Sequence, residues 1–252
     1  MSIARLMQQA AAGGVVETDP NFANVSLLLH GDGTSGAQNN TFLDGSTNNF
    51  TITRNGNTTQ GSFSPYNVSG PYDPATHGGS GYFDGTGDYL TAPNDVDFDF
   101  GSGDFTIEFW LNLNSNANIP GIIGKRTSDS VYSPFVIYVS SGKLSVVISK
   151  TGSSWAWIGA APTSLPLNQW VHVALVRNGN SFVLYQAGVS VASNTITGAL
   201  MQNTSALIIG RTAQSISPTV NLNGYIDDLR ITKGVARYTA AFTPPTKAFP
   251  DQ

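Results

Sequence analysis

The 252-residue chain has no cysteine, only two glutamates (Glu17 and Glu108) and a charged fraction of 11%, well below the ~25% usual in globular domains. Without cysteine there is neither a disulfide framework nor a thiolate metal site, which fits folding in a reducing compartment. The formal net charge of −4 leaves no basic footprint for nucleic acid. Apolar runs of about 18 residues are missing, so no segment reads as a membrane-spanning helix. The opening "MSIARLMQQAAAGG" carries one arginine but no long apolar core, so it does not read as a secretory signal. Six N-x-S/T triplets start at Asn24, Asn39, Asn49, Asn57, Asn67 and Asn203. A chain this rich in Asn, Ser and Thr makes such triplets by chance.

What is present is alternation. Residues 2–12 form the one helical stretch: Ser2 caps it, Ile3, Leu6 and Met7 share a face, and Gly13–Gly14 stop it. A helix this short is marginal alone, so its apolar stripe is expected to dock on a partner subunit or on the domain. Residues 1–20 are thus an attachment segment and 21–252 the folded domain. After Pro20 the period becomes two. "VSLLLH" reads as a buried strand, and "GDFTIEFWLNLN" puts Phe105, Ile107, Phe109 and Leu111 on one face and Thr106, Glu108, Trp110 and Asn112 on the other. Hairpins follow at Ser141–Gly142, Asn178–Gly179 and Ala187–Gly188. Strands at this spacing without intervening helices predict an all-β antiparallel sandwich or jelly roll. The proline-bearing tail "RYTAAFTPPTKAFPDQ" predicts an extended strap.

Three stretches in order, "GDFTIEFWLN", "NQWVHVALVRNGNSFVLYQAG" and "NGYIDDLRIT", resemble the hallmark strands of laminin G-like domains with the concanavalin A-like fold. The resemblance implies two curved antiparallel sheets and a family that mostly binds glycans or proteins. "SIARLMQQAAAG", "VSLLLHGDGT", "FTITRNGNTTQGSFSPY" and "GVARYT" are further similar to virion proteins of tailed bacteriophages. That implies a particle-associated protein made in the host cytoplasm. Its expected partners are other virion proteins, bound through the N-terminal segment, further copies of itself and host surface polysaccharide.

The fold also carries glucanases, which need two carboxylates about 5–9 Å apart. Glu17 precedes the domain and Glu108 has no acidic neighbour two residues away, so the glucanase pattern is absent. The adjacent pair Asp227–Asp228 cannot serve, because neighbours on a strand face opposite ways. Alternation puts Asp227 with Leu229 and Ile231 and Asp228 with Arg230; a bulge would shift that. A buried carboxylate must meet hydrogen-bond donors or a metal. Many laminin G-like domains hold Ca²⁺ on the rim, and here the oxygens would come from Asp32, Asp44, Asp227 and Asp228. No other cofactor is implied. Trp155 and Trp157 of "SSWAWIG", and Trp110, offer faces for sugar rings, although core packing is the commoner fate of such residues. The expectation is a non-enzymatic virion structural protein of tail, fibre or capsid, with an outward jelly roll that contacts glycan. A dedicated host-recognition adhesin is the alternative, and a polysaccharide-degrading enzyme the least favoured reading.

Overall fold

The period-two segments become strands. The computed structural model, which describes residues 17–31, 40–66, 79–117, 119–213 and 220–252, stacks them in two antiparallel sheets. One sheet takes β1 (Val25–Leu29), β3 (Thr59–Gly61), β4 (Ser80–Asp84), β6 (Phe105–Leu113), β11 (Trp170–Asn178), β12 (Ser181–Gln186), β13 (Val189–Thr195) and β15 (Asn223–Lys233). The other takes β2 (Thr53–Asn55), β5 (Tyr89–Ala92), β7 (Gly121–Gly124), β8 (Phe135–Ser140), β9 (Lys143–Ile148), β10 (Trp157–Ala160) and β14 (Leu207–Ile209). Strand order is β13-β12-β11-β6-β15-β4-β3 in the larger sheet and β10-β9-β8-β7-β14-β5-β2 in the smaller. Consecutive hairpins build one end of each sheet and crossovers between sheets build the other, as in a jelly roll. The helical elements among the described residues are two 3-10 turns, Phe22–Asn24 and Val96–Phe98. The helix expected over 2–12, with Ile3, Leu6 and Met7, lies outside the described residues, as does Asp32.

The faces chosen by alternation meet in one core. Ile107, Phe109 and Leu111 of β6, Val173 and Leu175 of β11, and Leu229 and Ile231 of β15 point at Ile137, Val146 and Ile148 of the other sheet. These side chains are fully buried or nearly so. Each contributes about 1.5–3 kcal/mol by leaving water. The hairpin between β8 and β9 turns at Ser141 and Gly142, both at positive φ (49° and 76°), which gives a tight turn the right-handed twist of its strands.

β15 is the longest strand, and its two edges are used differently. One edge runs along β6. The other pairs with β4 over residues 223–226 and then with β1 over 229–232. The register to β6 slips between Asp227 and Arg230, where the partner on the far edge changes.

The outward face of the larger sheet was expected to be polar and is, yet much of it is buried. Thr106, Glu108, His172 and Thr232 are fully covered. The C-terminal strap runs over them. Thr106 Oγ1 donates to Val235 O (3.0 Å) and accepts from Arg237 N (2.9 Å). The stacked pair Tyr238–Phe242, 3.6 Å between ring centroids, packs on His172 and Tyr185. Phe249 seals Val25 and Leu28 on the second face of β1. Asp19, placed by the sequence in the attachment segment, donates its N–H to Gln252 O (2.6 Å), so the end of that segment contacts the C-terminus.

The strap docks where a side chain would block it. Phe242 N donates to Gly188 O (3.0 Å), and a Cβ on Gly188 (φ 78°) would lie 1.9 Å from Phe242 O. Gly188→Ala is therefore expected to lift the strap and destabilise the domain by about 1–3 kcal/mol. A lower melting midpoint and faster C-terminal proteolysis would register this; unchanged values would mean that the strap does not need this contact.

Candidate functional site

The carboxylates singled out by the sequence lie where β15 bulges. Asp228 adopts φ 44°, a left-handed conformation that Asp tolerates better than most residues. This extra residue changes the phase of the strand. Leu229 and Ile231 stay in the core with Ile226, while Asp227 pairs across from Trp110 and Arg230 across from Glu108. Simple alternation had put Asp227 with Leu229 and Ile231; the bulge moves it to the strap side, where it is buried. Its Oδ1 accepts the Asp228 amide at 2.6 Å.

Asp228 is buried too, and it meets donors from three segments. Oδ1 lies 2.5 Å from His30 Nδ1. Oδ2 accepts from Phe249 N at 2.8 Å and from the Tyr66 hydroxyl. His30 Nε2 continues to Asp251 Oδ1 at 2.6 Å. Burial, then the Asp228 and Asp227 carboxylates, push the Tyr66 phenol far above its ordinary value, so it remains a donor. The expected Asp228–Arg230 pair does not form. Arg230 instead holds Glu108 through Nε (3.0 Å) and Nη2 (2.8 Å), and Asp19 through Nη1 (3.0 Å). Arg237 Nη2 also reaches Asp19, at 2.6 Å.

Glu108 is fully buried beneath the strap. Burial alone would raise its pKa, but Arg230, His172 and the Tyr238 hydroxyl outweigh it and hold the carboxyl at about 2. A carboxylate kept ionised and enclosed is neither a proton donor at neutral pH nor open to a sugar. It ties the strap to the sheet, with Tyr238 donating to Oε2 at 2.6 Å.

Of the residues proposed for Ca²⁺, Asp32 lies outside the described residues, while Asp44, Asp227 and Asp228 already accept hydrogen bonds. Asp44 Oδ1 accepts Leu28 N (3.0 Å) and Ser46 N (2.9 Å), and its Oδ2 accepts Ser46 Oγ and Phe50 N, both at 2.9 Å. Together with the donors on Asp227 and Asp228, these bonds occupy lone pairs that a cation would need. Among the described residues no group of three or more His, Cys, Asp and Glu side chains is arranged to hold a metal.

The tryptophans part company. Strand alternation through "SSWAWIG" would point both rings one way. However, β10 starts only at Trp157, and Trp155 precedes it in irregular chain. Trp157 turns inward and packs on Phe182 in the core. Trp110 is half-buried and wedged between Tyr66 and His172. Trp155 lines a groove on the outer face of the smaller sheet.

That groove has a volume of about 340 Å³, with Val136, Tyr138, Val147 and Trp155 in its lining. The β8 and β9 residues come outward because their neighbours Phe135, Ile137, Val146 and Ile148 are in the core. Trp155 is braced edge-on by Tyr132, 4.9 Å away. A polar edge completes the lining: Asp129 Oδ1 accepts Arg126 Nη2 (2.6 Å) and Thr212 Oγ1 (2.8 Å), and Arg126 Nε holds Thr212 O (3.2 Å). Burial lowers the Arg126 pKa and raises that of the Tyr138 phenol. An aromatic wall beside fixed donors and acceptors can take a ligand with apolar faces and hydroxyl rims. Sequence reasoning found Trp155 but missed Arg126, Asp129, Tyr138 and Thr212. The charged pair in "GKRTSDS" was a signal, since charge is scarce elsewhere.

Two stacked antiparallel sheets joined by crossovers define a lectin-type jelly roll. A laminin G-type profile, described as the concanavalin A-like lectin/glucanases superfamily, matches residues 84–237, more than half of the chain. The chain belongs to that superfamily. No curated protein matches it. Among solved structures, the binding domain of Paraclostridial Mosquitocidal Protein 1 is similar at TM-score 0.60 and 16% identity, over 85% of this chain and 50% of that one. The botulinum neurotoxin serotype D binding domain has TM-score 0.60 and 15% identity over 86% and 50%. The serotype C1 binding domain has TM-score 0.58 and 18% identity over 85% and 50%. The chain thus spans about half the length of these domains, and the likeness is one of fold.

Two measurements test the polar cluster. The folded Glu108 pKa of about 2 lies below its ordinary 4.5. Its stabilisation, about 3 kcal/mol by linkage, is therefore complete above about pH 4.5 and lost as pH falls towards 2. Glu108→Gln should flatten that acid limb in a melting-versus-pH series, while Arg230→Met, which strands the charge, should cost about 3–5 kcal/mol at neutral pH. Chelation with EDTA should leave the wild-type midpoint unmoved; a lowered midpoint would support a bound calcium ion.

Proposed function

We propose that this chain is a non-enzymatic virion component of a tailed bacteriophage whose jelly roll binds surface glycan in the Trp155 groove. The observation that carries the glycan reading is the pairing of the Trp155 and Tyr138 rings with the Arg126–Asp129–Thr212 edge in one groove. The virion reading rests on the sequence stretches that resemble phage particle proteins. A binding rather than hydrolytic role is supported by Glu108, Asp227 and Asp228, the carboxylates best placed by sequence, all of which are buried and engaged. Type C botulinum neurotoxin, whose cell entry depends on interaction with two ganglioside molecules, shares the fold at 17% identity. That dependence belongs to the toxin and gives only a direction for the search.

A bacterial polysaccharide array probed with wild type and Trp155→Ala tests this. The variant should fold normally and bind at least about tenfold more weakly, a loss of about 1.4 kcal/mol. Equal binding by both proteins would remove the groove, and no binding by wild type would remove the glycan reading. Antibody against the jelly roll should decorate purified particles; unlabelled particles would remove the virion placement.

A further inference from the structure

We propose that the larger sheet carries a second saccharide-binding surface, a row of aromatic rings that takes an extended neutral polysaccharide running across the strands. The row is set by register. Trp170 of β11 pairs with Asn112 of β6, Asn112 with Tyr225 of β15, Tyr225 with Tyr82 of β4, and Tyr82 with Thr59 of β3. Directly paired residues share a face, so five side chains from five adjacent strands stand in line on the outward face. Four gaps of about 4.8 Å make the row about 19 Å long. Tyr82 and Tyr225 have centroids 4.8 Å apart, and Trp170 and Tyr225 6.3 Å. Phe63, 48% exposed, joins them at 4.7 Å from Tyr225 and 5.2 Å from Trp170.

The strap leaves this row partly open. Its stacked pair Tyr238–Phe242 covers His172, two residues along β11 from Trp170, while Tyr82, Trp170 and Tyr225 stay part-exposed. Ring, amide, ring, ring, hydroxyl is a sequence of apolar faces and neutral hydrogen-bonding groups. The strand spacing is comparable to one pyranose unit along an extended chain, so sugars along the row meet Trp170, Tyr225, Tyr82 and Thr59, while Asn112 lies buried between the rings. The Trp170 indole N–H is enclosed, so a sugar meets this residue through the part-exposed remainder of its ring. Charge selects the polymer. None of the six residues is charged, and the carboxylates that act on the Tyr82 phenol are Asp84 and Asp88, so an acidic chain is repelled at that end. This surface lies on the opposite sheet from the Trp155 groove and does not depend on it.

The four tryptophans allow the two surfaces to be read separately. Protein labelled with 5-fluorotryptophan, with each resonance assigned from a Trp→Phe variant, is titrated with cellohexaose, maltohexaose, xylohexaose, cellobiose and hexagalacturonic acid. The Trp170 resonance should shift saturably with at least one neutral hexaose. A disaccharide should bind at least tenfold more weakly, and the acidic oligomer should leave the resonance unmoved. Tyr82→Ser and Phe63→Ser, both at part-exposed or exposed positions, should each weaken the hexaose tenfold without lowering the melting midpoint. A shift at Trp155 alone overturns this proposal and leaves the groove reading intact. The acidic oligomer shifting Trp170 as strongly as the neutral ones would also overturn it. So would silence at Trp170 with every neutral hexaose combined with a dimer that Tyr82→Ser dissociates in light scattering, which would assign the row to self-association.

Discussion

One extra residue in β15 decides how the chain closes on itself. A strand that keeps one partner along its first edge and changes partner halfway along its second cannot hold a single register throughout. The slip between Asp227 and Arg230 sits where β4 gives way to β1. With the extra residue, Ile226 before the break and Leu229 and Ile231 after it all face the core. Without it, strict alternation from Ile226 would send Leu229 and Ile231 to the strap side and Arg230 into the apolar interior. A guanidinium there would lack Glu108, and leaving both charges unpaired costs several kcal/mol. The left-handed Asp228 is the local cost of that phase change, and its carboxylate becomes the point where β1, the segment around Tyr66 and the strap meet.

The second constraint follows from the first. A sheet face carrying Thr106, Glu108, His172 and Arg230 would ordinarily be left to water. Here it is covered, and every buried polar group then needs a partner. The strap brings them: a carbonyl and an amide for Thr106, a hydroxyl for Glu108, an arginine for Asp19. Buried ion pairs of this kind add little net stability over an apolar core. What they fix is position, since a strap shifted by one residue would leave Glu108 and Asp19 short of donors. Two of only 12 basic residues in the chain stand at this one place.

Legibility in the sequence tracked regularity of the backbone. The long strands β6, β11 and β15 announced themselves by alternation, and the hairpins by Gly in their turns. The bulge did not, because two adjacent aspartates look the same whether the second is extended or left-handed. That single ambiguity reversed the face of Asp227 and hid the Glu108–Arg230 pair, whose members lie 122 residues apart. Trp155 and Trp157 failed to share a face for a related reason: alternation holds only inside a strand, and β10 begins at the second of them. The groove's polar edge combines residues near 126 with Thr212, a juxtaposition made by the crossovers of the sheet rather than by any local pattern.

The two sheets therefore turn unlike outer faces to their surroundings. One is largely closed by the strap and keeps an aromatic row at its end; the other exposes the Trp155 groove. Both proposed surfaces combine rings with neutral or self-paired polar groups, in a chain where charge is scarce. Such contacts hold a sugar by dispersion and by hydrogen bonds exchanged with water, so each site alone is weak. Affinity must then come from number. On the proposed reading, two such faces on one domain would convert weak contacts into avidity through effective concentration. That gain requires the faces to be held rigidly in relation to each other. The carboxylates Asp228 of β15 and Glu108 of β6, which bind the strap, supply that rigidity.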